Sequence, residues 1–171
     1  TALTALGAVV ITVDGAGERR TQSLDDVVLG PGRTSLRYDE AILEFAFPPL
    51  DAGHRSAFAK IGSRTAVSVA RLSVALVVRF DADAGVLSEA RVALGAVGER
   101  AFRASELEAK LVGRAADDET ARLFADGCVA AVEASIPGRY SLPYKRHAAV
   151  GLAYDAWNML ALSAPSEPAW T

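Results

Sequence analysis

The chain has 171 residues, of which 51% are apolar and 23% are charged, and this composition is typical of a globular protein with a sizeable core. Its 18 Lys and Arg residues are scattered and outnumbered by 21 Asp and Glu, which gives a formal net charge of −3. The sequence therefore lacks the basic footprint that nucleic acids or anionic membranes require, and we expect neither as a partner.

The first 40 residues predict a short helix and a hairpin. "TALTALGAVV" is typical of a helix end that runs into a strand, and because no initiator Met precedes it we expect a piece of a longer protein. "AVVITVDGAGERRTQSL" places a Gly-containing turn between an apolar strand and a polar one, which indicates a β-hairpin. "GPGRT", residues 30–34, is Gly-rich but lacks the Gly-Lys-Ser/Thr ending and the following helix of a phosphate loop, so a turn is predicted.

The segment "AILEFAFPP" predicts a strand that ends at two prolines. Strict alternation would place Leu43, Phe45 and Phe47 together as a core stripe and Ile42 on the opposite face. Residues 50–55, which include His54, are predicted to be a linker.

Residues 56–98 predict a three-stranded antiparallel meander. Its first strand contains "AFAKIGSR", in which two cations and an aromatic residue would share one face while small and apolar residues occupy the other. The first face consists of Phe58, Lys60, Gly62 and Arg64, and the second of Ala57, Ala59 and Ile61.

From Ser105 onward the apolar period changes to about 3.6, which predicts helices. Ser105 and Glu108 fit a capping box, and Gly113 is a helix stop. A second helix is predicted from Asp117 or Asp118 to about Ala134.

A third helix is predicted after Ser141, with Pro143 in its first turn. Its apolar stripe consists of Ala149, Leu152, Ala153, Ala156, Met159 and Leu160. The tail, residues 163–171, is polar and is expected to fray. Strands followed by helices indicate an α+β domain.

No catalytic group or metal site is predicted. His54 and His147 have no partner at metal-ligand spacing and are interpreted as surface histidines. The pairs Asp25–Asp26 and Asp117–Asp118 are interpreted as a loop pair and a helix start. Cys128, the one cysteine, lies on an apolar helical face, so a buried thiol that ligates nothing is expected. With no signal peptide and no apolar run that could span a bilayer, a cytoplasmic protein is predicted.

Five segments occur in order along the chain: "TALTALGAVVITVDGAGERR", "LGPGRTSLRYDEAILEFAFP", "FAKIGSRTAVSVARLSVAL", "ARVALGAVGERAFRASELEAKLVG" and "YSLPYKRHAAVGLAYDAWNML". Together they resemble the FAD-binding medium subunit of the molybdenum hydroxylases, the family of xanthine dehydrogenase and aerobic carbon monoxide dehydrogenase. The resemblance runs from residue 1 to about residue 162.

The resemblance implies a domain organisation. Residues 1–49 would be the end of the FAD-binding domain with its antiparallel sheet, residues 55–162 a C-terminal domain of three strands and three helices, and residues 163–171 a tail. The family's glycine- and serine-rich pyrophosphate loops lie upstream of the segments matched here. Ser68 stands where the family usually has an aspartate, so an ion pair of Arg64 with that aspartate is not expected.

The resemblance also implies two FAD contacts, Ile42 and Lys60. An aliphatic side chain can cover an aromatic ring, and an ammonium group can donate to an anionic or electron-rich cofactor. The competing interpretation is that Lys60 is a solvated charge on the open face of a sheet.

By resemblance, the chain is part of an electron-transfer subunit of an oxidoreductase and is inactive alone. Its FAD would receive electrons from 2Fe-2S clusters, and the partners would be an iron–sulfur subunit, a molybdopterin-binding large subunit and the N-terminal FAD-binding part. The alternative is a binding or assembly module without flavin, because fold alone does not establish function.

Overall fold

The computed structural model describes residues 1–64 and 68–162, and the predicted tail, residues 163–171, lies outside this range. The first part of the chain forms two short helices and five strands. They are α1 (Ala2–Ala5), β1 (Val9–Val13), β2 (Arg19–Ser23), α2 (Leu24–Val27), β3 (Val28–Gly30), β4 (Arg33–Thr34) and β5 (Ala41–Ala46). We call residues 1–46 the first unit.

The first unit is built on a three-stranded antiparallel sheet in the order β2-β1-β5. The hairpin of β1 and β2 is confirmed, with Val9 opposite Ser23 and Val13 opposite Arg19. The "GPGRT" segment forms the tip of the small β3–β4 hairpin, with Pro31 and Gly32 as its turn, and Gly32 adopts a φ of 66° there. That left-handed conformation is one that glycine adopts without steric cost.

The C-terminal domain follows as a sheet and a layer of three helices. Its elements are β6 (His54–Gly62), β7 (Ala70–Asp81), β8 (Val86–Gly95), β9 (Phe102–Arg103), α3 (Ser105–Leu111), α4 (Asp118–Ser135) and α5 (Leu142–Leu162). The predicted meander is confirmed, and the two-residue strand β9 extends it to a four-stranded antiparallel sheet in the order β6-β7-β8-β9. The predicted α+β class is therefore correct.

The main core lies between this sheet and the helices. Alternate residues of β7, from Leu72 to Val78, point toward the helix layer and are fully buried. They meet Phe124, Cys128 and other side chains of α4, together with one stripe of α5. The stripe of α5 is confirmed except for Met159, which is 39% exposed.

On the opposite face of the four-stranded sheet, the described residues form a small apolar cluster. Ala5 and the partly buried Leu6 of the first unit pack there against Ala75, Val77 and Ala93. The remainder of this face contains the exposed Phe58 and Lys60. We call it the open face.

α3 begins at Ser105 as predicted, but two interpretations of side chains near helix starts are wrong. α3 has Ala104 at its N-cap without a side-chain cap hydrogen bond, so Ser105 and Glu108 do not form a capping box. Glu108 instead accepts a hydrogen bond from the main-chain N–H of Val92 at 2.8 Å, because its carboxylate turns toward the sheet. Asp25 and Asp26 lie in the first turn of α2 rather than in a loop, and Ser23 caps that turn by accepting from the Asp26 N–H.

Candidate functional site

Lys60 lies on β6, at the edge of the four-stranded sheet. It is exposed, while Ala57 and Ala59 on the opposite face are buried, as the alternation predicts. Its Nζ donates to the main-chain oxygen of Ser68 at 3.3 Å. The lysine head therefore makes a solvent-exposed contact, and the packing of the core does not depend on it.

Lys60 belongs to a row of residues that crosses the sheet. It lies opposite Ser73 of β7, and Ser73 lies opposite Gly95 of β8. The hydroxyls of Ser73 and Thr1 are 2.9 Å apart, and a Cβ added at Gly95 would lie 1.9 Å from Thr1 Oγ1. The first unit therefore approaches the sheet closely in the same row as Lys60.

Ile42 lies on β5 and is 38% exposed, so its side chain is accessible to a ligand. The prediction of its face is wrong. A register shift in β5 pairs Phe45 with Val10 and Ile42 with Thr12, and these two positions of β1 point to the same face. Ile42 and Phe45 therefore share a face, with Leu43 as the extra residue of a β-bulge.

The predicted core stripe of β5 is exposed. All six residues of the strand are exposed, with Leu43 at 47% and Phe45 at 43%, and Phe47 just beyond its end is 47% exposed. β5 is also an edge strand of its sheet, so one row of its backbone groups is unpaired in that sheet. Such an apolar edge is typical of an interaction surface.

Sequence reasoning missed Glu40, whose carboxylate anchors the start of β5. The carboxylate accepts from Thr12 Oγ1 at 2.6 Å, from Arg20 Nη2 at 2.7 Å and from the Arg37 N–H at 3.1 Å. The Arg20 hydrogen bond, followed by the Thr12 hydrogen bond, lowers the pKa of Glu40 to about 2. Glu40 thus holds the strand that presents Ile42, and its three partners lie too far apart in sequence to be recognised as a motif.

The interpretation of His54 as a linker residue at the surface is wrong. It is the first residue of β6, and its side chain is only 9% exposed. Its Nδ1 lies 2.8 Å from Asp51 Oδ1 and its Nε2 lies 3.3 Å from Glu89 Oε2. The hydrogen bond with His54 is the main cause that lowers the pKa of Asp51. This cluster ties the segment before β6 to the sheet.

The other candidate groups lie where the sequence predicts. His147 is exposed on α5, and Asp117 caps α4 by accepting from the Thr120 N–H at 2.8 Å. Cys128 is fully buried, and this burial raises the pKa of its thiol to about 12. Within residues 1–64 and 68–162, no three His, Cys, Asp or Glu side chains are grouped so as to hold a metal ion. No helix in that part of the chain is long and apolar enough to cross a membrane.

The fold and the candidate site together define a class of protein. In this class, an antiparallel sheet with an exposed apolar edge is followed by an α+β domain that has an accessible lysine on its open face. The CO dehydrogenase flavoprotein C-terminal domain matches residues 57–160. The chain belongs to this family, which confirms the predicted resemblance.

Three relatives cover almost the whole chain. The glyceraldehyde dehydrogenase medium chain of Sulfolobus acidocaldarius is 28% identical over 159 residues, which are 93% of this chain and 55% of the relative. A chain of the carbon monoxide dehydrogenase from Hydrogenophaga pseudoflava that lacks the Mo-pyranopterin moiety of its cofactor has a TM-score of 0.80 at 29% identity. The match covers 96% of this chain and 56% of that one.

A chain of quinoline 2-oxidoreductase from Pseudomonas putida 86 has a TM-score of 0.79 at 26% identity, covering 95% of this chain and 55% of that one. The chain thus spans just over half the length of the relatives it matches. These likenesses extend over both the first unit and the C-terminal domain.

Proposed function

We propose that this chain is part of the FAD-carrying electron-transfer subunit of a molybdenum-containing hydroxylase or dehydrogenase. Electrons would pass from 2Fe-2S clusters on an iron–sulfur subunit to FAD and then to an acceptor. Substrate would react at a molybdenum cofactor on a large subunit, and the assembly would be cytoplasmic. The observation that carries this proposal is the family match over residues 57–160, which includes the exposed Lys60.

Two residues of this chain have side chains that suit contact with FAD. The ammonium group of Lys60 is accessible for a charge-assisted hydrogen bond, and the exposed aliphatic side chain of Ile42 can cover part of a flavin ring. Bound FAD would supply the redox chemistry, while Lys60 and Ile42 would bind and orient it. No acid, base or nucleophile of this chain is assigned to a chemical step.

The exposed edge of the first unit supports a further part of the proposal. We infer that the N-terminal FAD-binding part of the subunit covers β5, because Leu43, Phe45 and Phe47 form an apolar surface beside an unpaired strand edge. That part would also supply the main-chain amides for the FAD pyrophosphate. Residues 1–171 by themselves should therefore retain no stoichiometric FAD and should be inactive.

The proposal is tested by Lys60→Met in the complete subunit. Loss of a charge-assisted hydrogen bond should weaken FAD binding about tenfold to hundredfold, whereas the free energy of unfolding of the apoprotein should change by no more than about 0.5 kcal/mol. Lys110→Met is the matched control, because Lys110 is another exposed lysine, on α3. The dissociation constant should be measured by flavin fluorescence and the stability by urea unfolding.

Each outcome has a distinct meaning. Unchanged FAD affinity in Lys60→Met would make Lys60 a solvated surface charge. A large loss of apoprotein stability would make it a structural residue. A complete wild-type subunit that binds no flavin would favour the alternative, a binding or assembly module without FAD.

A further inference from the structure

The loop after β8 connects the C-terminal domain to the first unit through Arg100. Its Nη1 donates to the main-chain oxygen of Asp25 at 2.7 Å and to that of Val28 at 3.2 Å. Its Nε also lies 4.0 Å from the Asp25 carboxylate. In the same loop, the side chain of Glu99 lies close to Gly30, where an added Cβ would be 3.6 Å from Glu99 Oε2.

The two carbonyl groups that Arg100 contacts lie in α2 and immediately after it. The last carbonyl groups of a helix have no intrahelical partner, and α2 has only four residues. Arg100 donates to one carbonyl group within this short helix and to the one at its C-cap, and its planar guanidinium group presents its N–H donors in a fixed geometry. Because the Arg100 side chain is 40% exposed, it contributes little to a buried core.

The first unit has a second attachment to the C-terminal domain. Ala5 of α1 is buried against the open face of the sheet, and Arg91 Nη1 donates to the main-chain oxygen of Leu6 at 3.3 Å. The segment before β6 is also tied to the sheet, through Asp51 and His54. Arg100 adds a contact at α2, and its hydrogen bonds restrain the angle between the first unit and the C-terminal domain.

This angle matters for the proposed function, on which the inference rests. Ile42 lies in the sheet of the first unit and Lys60 lies in the sheet of the C-terminal domain. One FAD molecule can contact both side chains only if the two sheets are held in a defined orientation. We propose that Arg100 is a positioning residue that fixes the angle between the two sheets and thereby aligns Ile42 and Lys60 on the cofactor.

The test uses Arg100→Gln in the complete subunit, with Arg114→Gln as the matched control. Arg114 is also 40% exposed, but its ion pair with Glu119 lies within the C-terminal domain. Movement of the first unit relative to the C-terminal domain is detected as a change in the distance distribution between spin labels at Thr21→Cys on β2 and Ala109→Cys on α3, both exposed positions, measured by pulsed electron paramagnetic resonance. Cys128 should not take up a label because it is fully buried.

Arg100→Gln should broaden the distance distribution between the labels and raise the dissociation constant for FAD about tenfold. Arg114→Gln should change neither quantity. Arg100→Lys keeps the charge but loses the guanidinium geometry, so it should give an intermediate width and affinity; it also serves as the test if the Gln variant does not fold.

An unchanged distance distribution in Arg100→Gln and Arg100→Lys would overturn the inference, even if the FAD affinity of these variants were lower. A broadened distribution with unchanged FAD affinity would also overturn it, because the angle would then not matter for the cofactor. If the wild-type complete subunit bound no FAD, the proposed function would fail, and the part of the inference that concerns cofactor alignment would fail with it. The distance measurement would still decide whether Arg100 fixes the angle.

Discussion

Replacing Glu108 with alanine should destabilise the protein by about 3 kcal/mol, although this residue has no proposed role at the FAD site. Glu108 is 9% exposed and accepts from the Val92 N–H at 2.8 Å. It also forms two hydrogen bonds with Arg103, from Nε at 2.5 Å and from Nη2 at 2.8 Å. One carboxylate therefore connects α3 to β8 and β9.

The magnitude follows from what the substitution leaves behind. A buried N–H without a partner costs about 1–3 kcal/mol, and the lost charge-assisted pair adds to this cost. The Arg103 side chain is 31% exposed, so its charge can still reach water. The total should therefore lie at the lower end of the roughly 3–5 kcal/mol seen when a fully buried pair is broken.

The assay is urea unfolding of Glu108→Ala and of Glu106→Ala, an exposed acid in the first turn of the same helix. At a slope of about 2 kcal/mol per molar urea, Glu108→Ala should lower the midpoint by about 1.5 M without changing the slope. Glu106→Ala should stay within about 0.5 kcal/mol of the wild type. Equal midpoints for the two variants would refute the reasoning, since the Val92 N–H would then not depend on Glu108.

Four further substitutions test other parts of the structure. Open space surrounds Gly151 on α5, so Gly151→Ala should stabilise the protein by about 0.5–1 kcal/mol. Gly127→Ala on α4 should lack this gain, because its Cβ would lie 2.3 Å from Leu107 Cδ1. Melting temperatures that rise equally in the two variants would contradict this expectation. Ala96 has a φ of 61°, so Ala96→Gly should stabilise the protein by about 0.5–1 kcal/mol in urea unfolding, and a loss of stability would show that the turn is not strained. The pKa of Glu40 is lowered to about 2 from an ordinary 4.5, so its stabilising effect is complete above pH 4.5 and is lost as the pH falls toward 2. The difference in unfolding midpoint between wild type and Glu40→Gln should shrink over that range, and a difference independent of pH would contradict this assignment.

The strands β6, β7 and β8 could be predicted from the sequence because alternate residues of each are buried against helices, whereas the two-residue strand β9 is too short to show an alternation. The alternation of Ala57, Ala59, Leu72 and Val74 directly reflects that burial. The bulge in β5 could not be predicted in this way. It depends on the register with β1, and an exposed strand has no buried face to reveal a shift of one residue.

Local patterns also failed where distant residues compete for the same side chain. Ser105 and Glu108 have the spacing of a capping box, but Glu108 accepts instead from the buried N–H of Val92 and from the side chain of Arg103. His54 has one partner close in sequence, Asp51, but its other partner, Glu89, lies 35 residues away, so the cluster is not visible as a local pattern. Long-range pairing of this kind follows from topology and not from spacing along the chain.

At the candidate site too, some features could be predicted from the sequence and others could not. The exposure of Lys60 follows from strand alternation, whereas the proposed roles of Lys60 and Ile42 come from the family resemblance. Arg100 could not be singled out from the sequence, because its acceptors lie 75 and 72 residues earlier in the chain. Only the folded structure brings the loop after β8 to α2.

The most direct test of the central claim is a visible absorption spectrum of the intact native protein, purified with whatever chains accompany it and followed by extraction and quantification of the flavin. We predict flavin absorption bands and one FAD for each copy of this chain. An intact, folded protein without flavin would contradict the assignment to an FAD-carrying subunit.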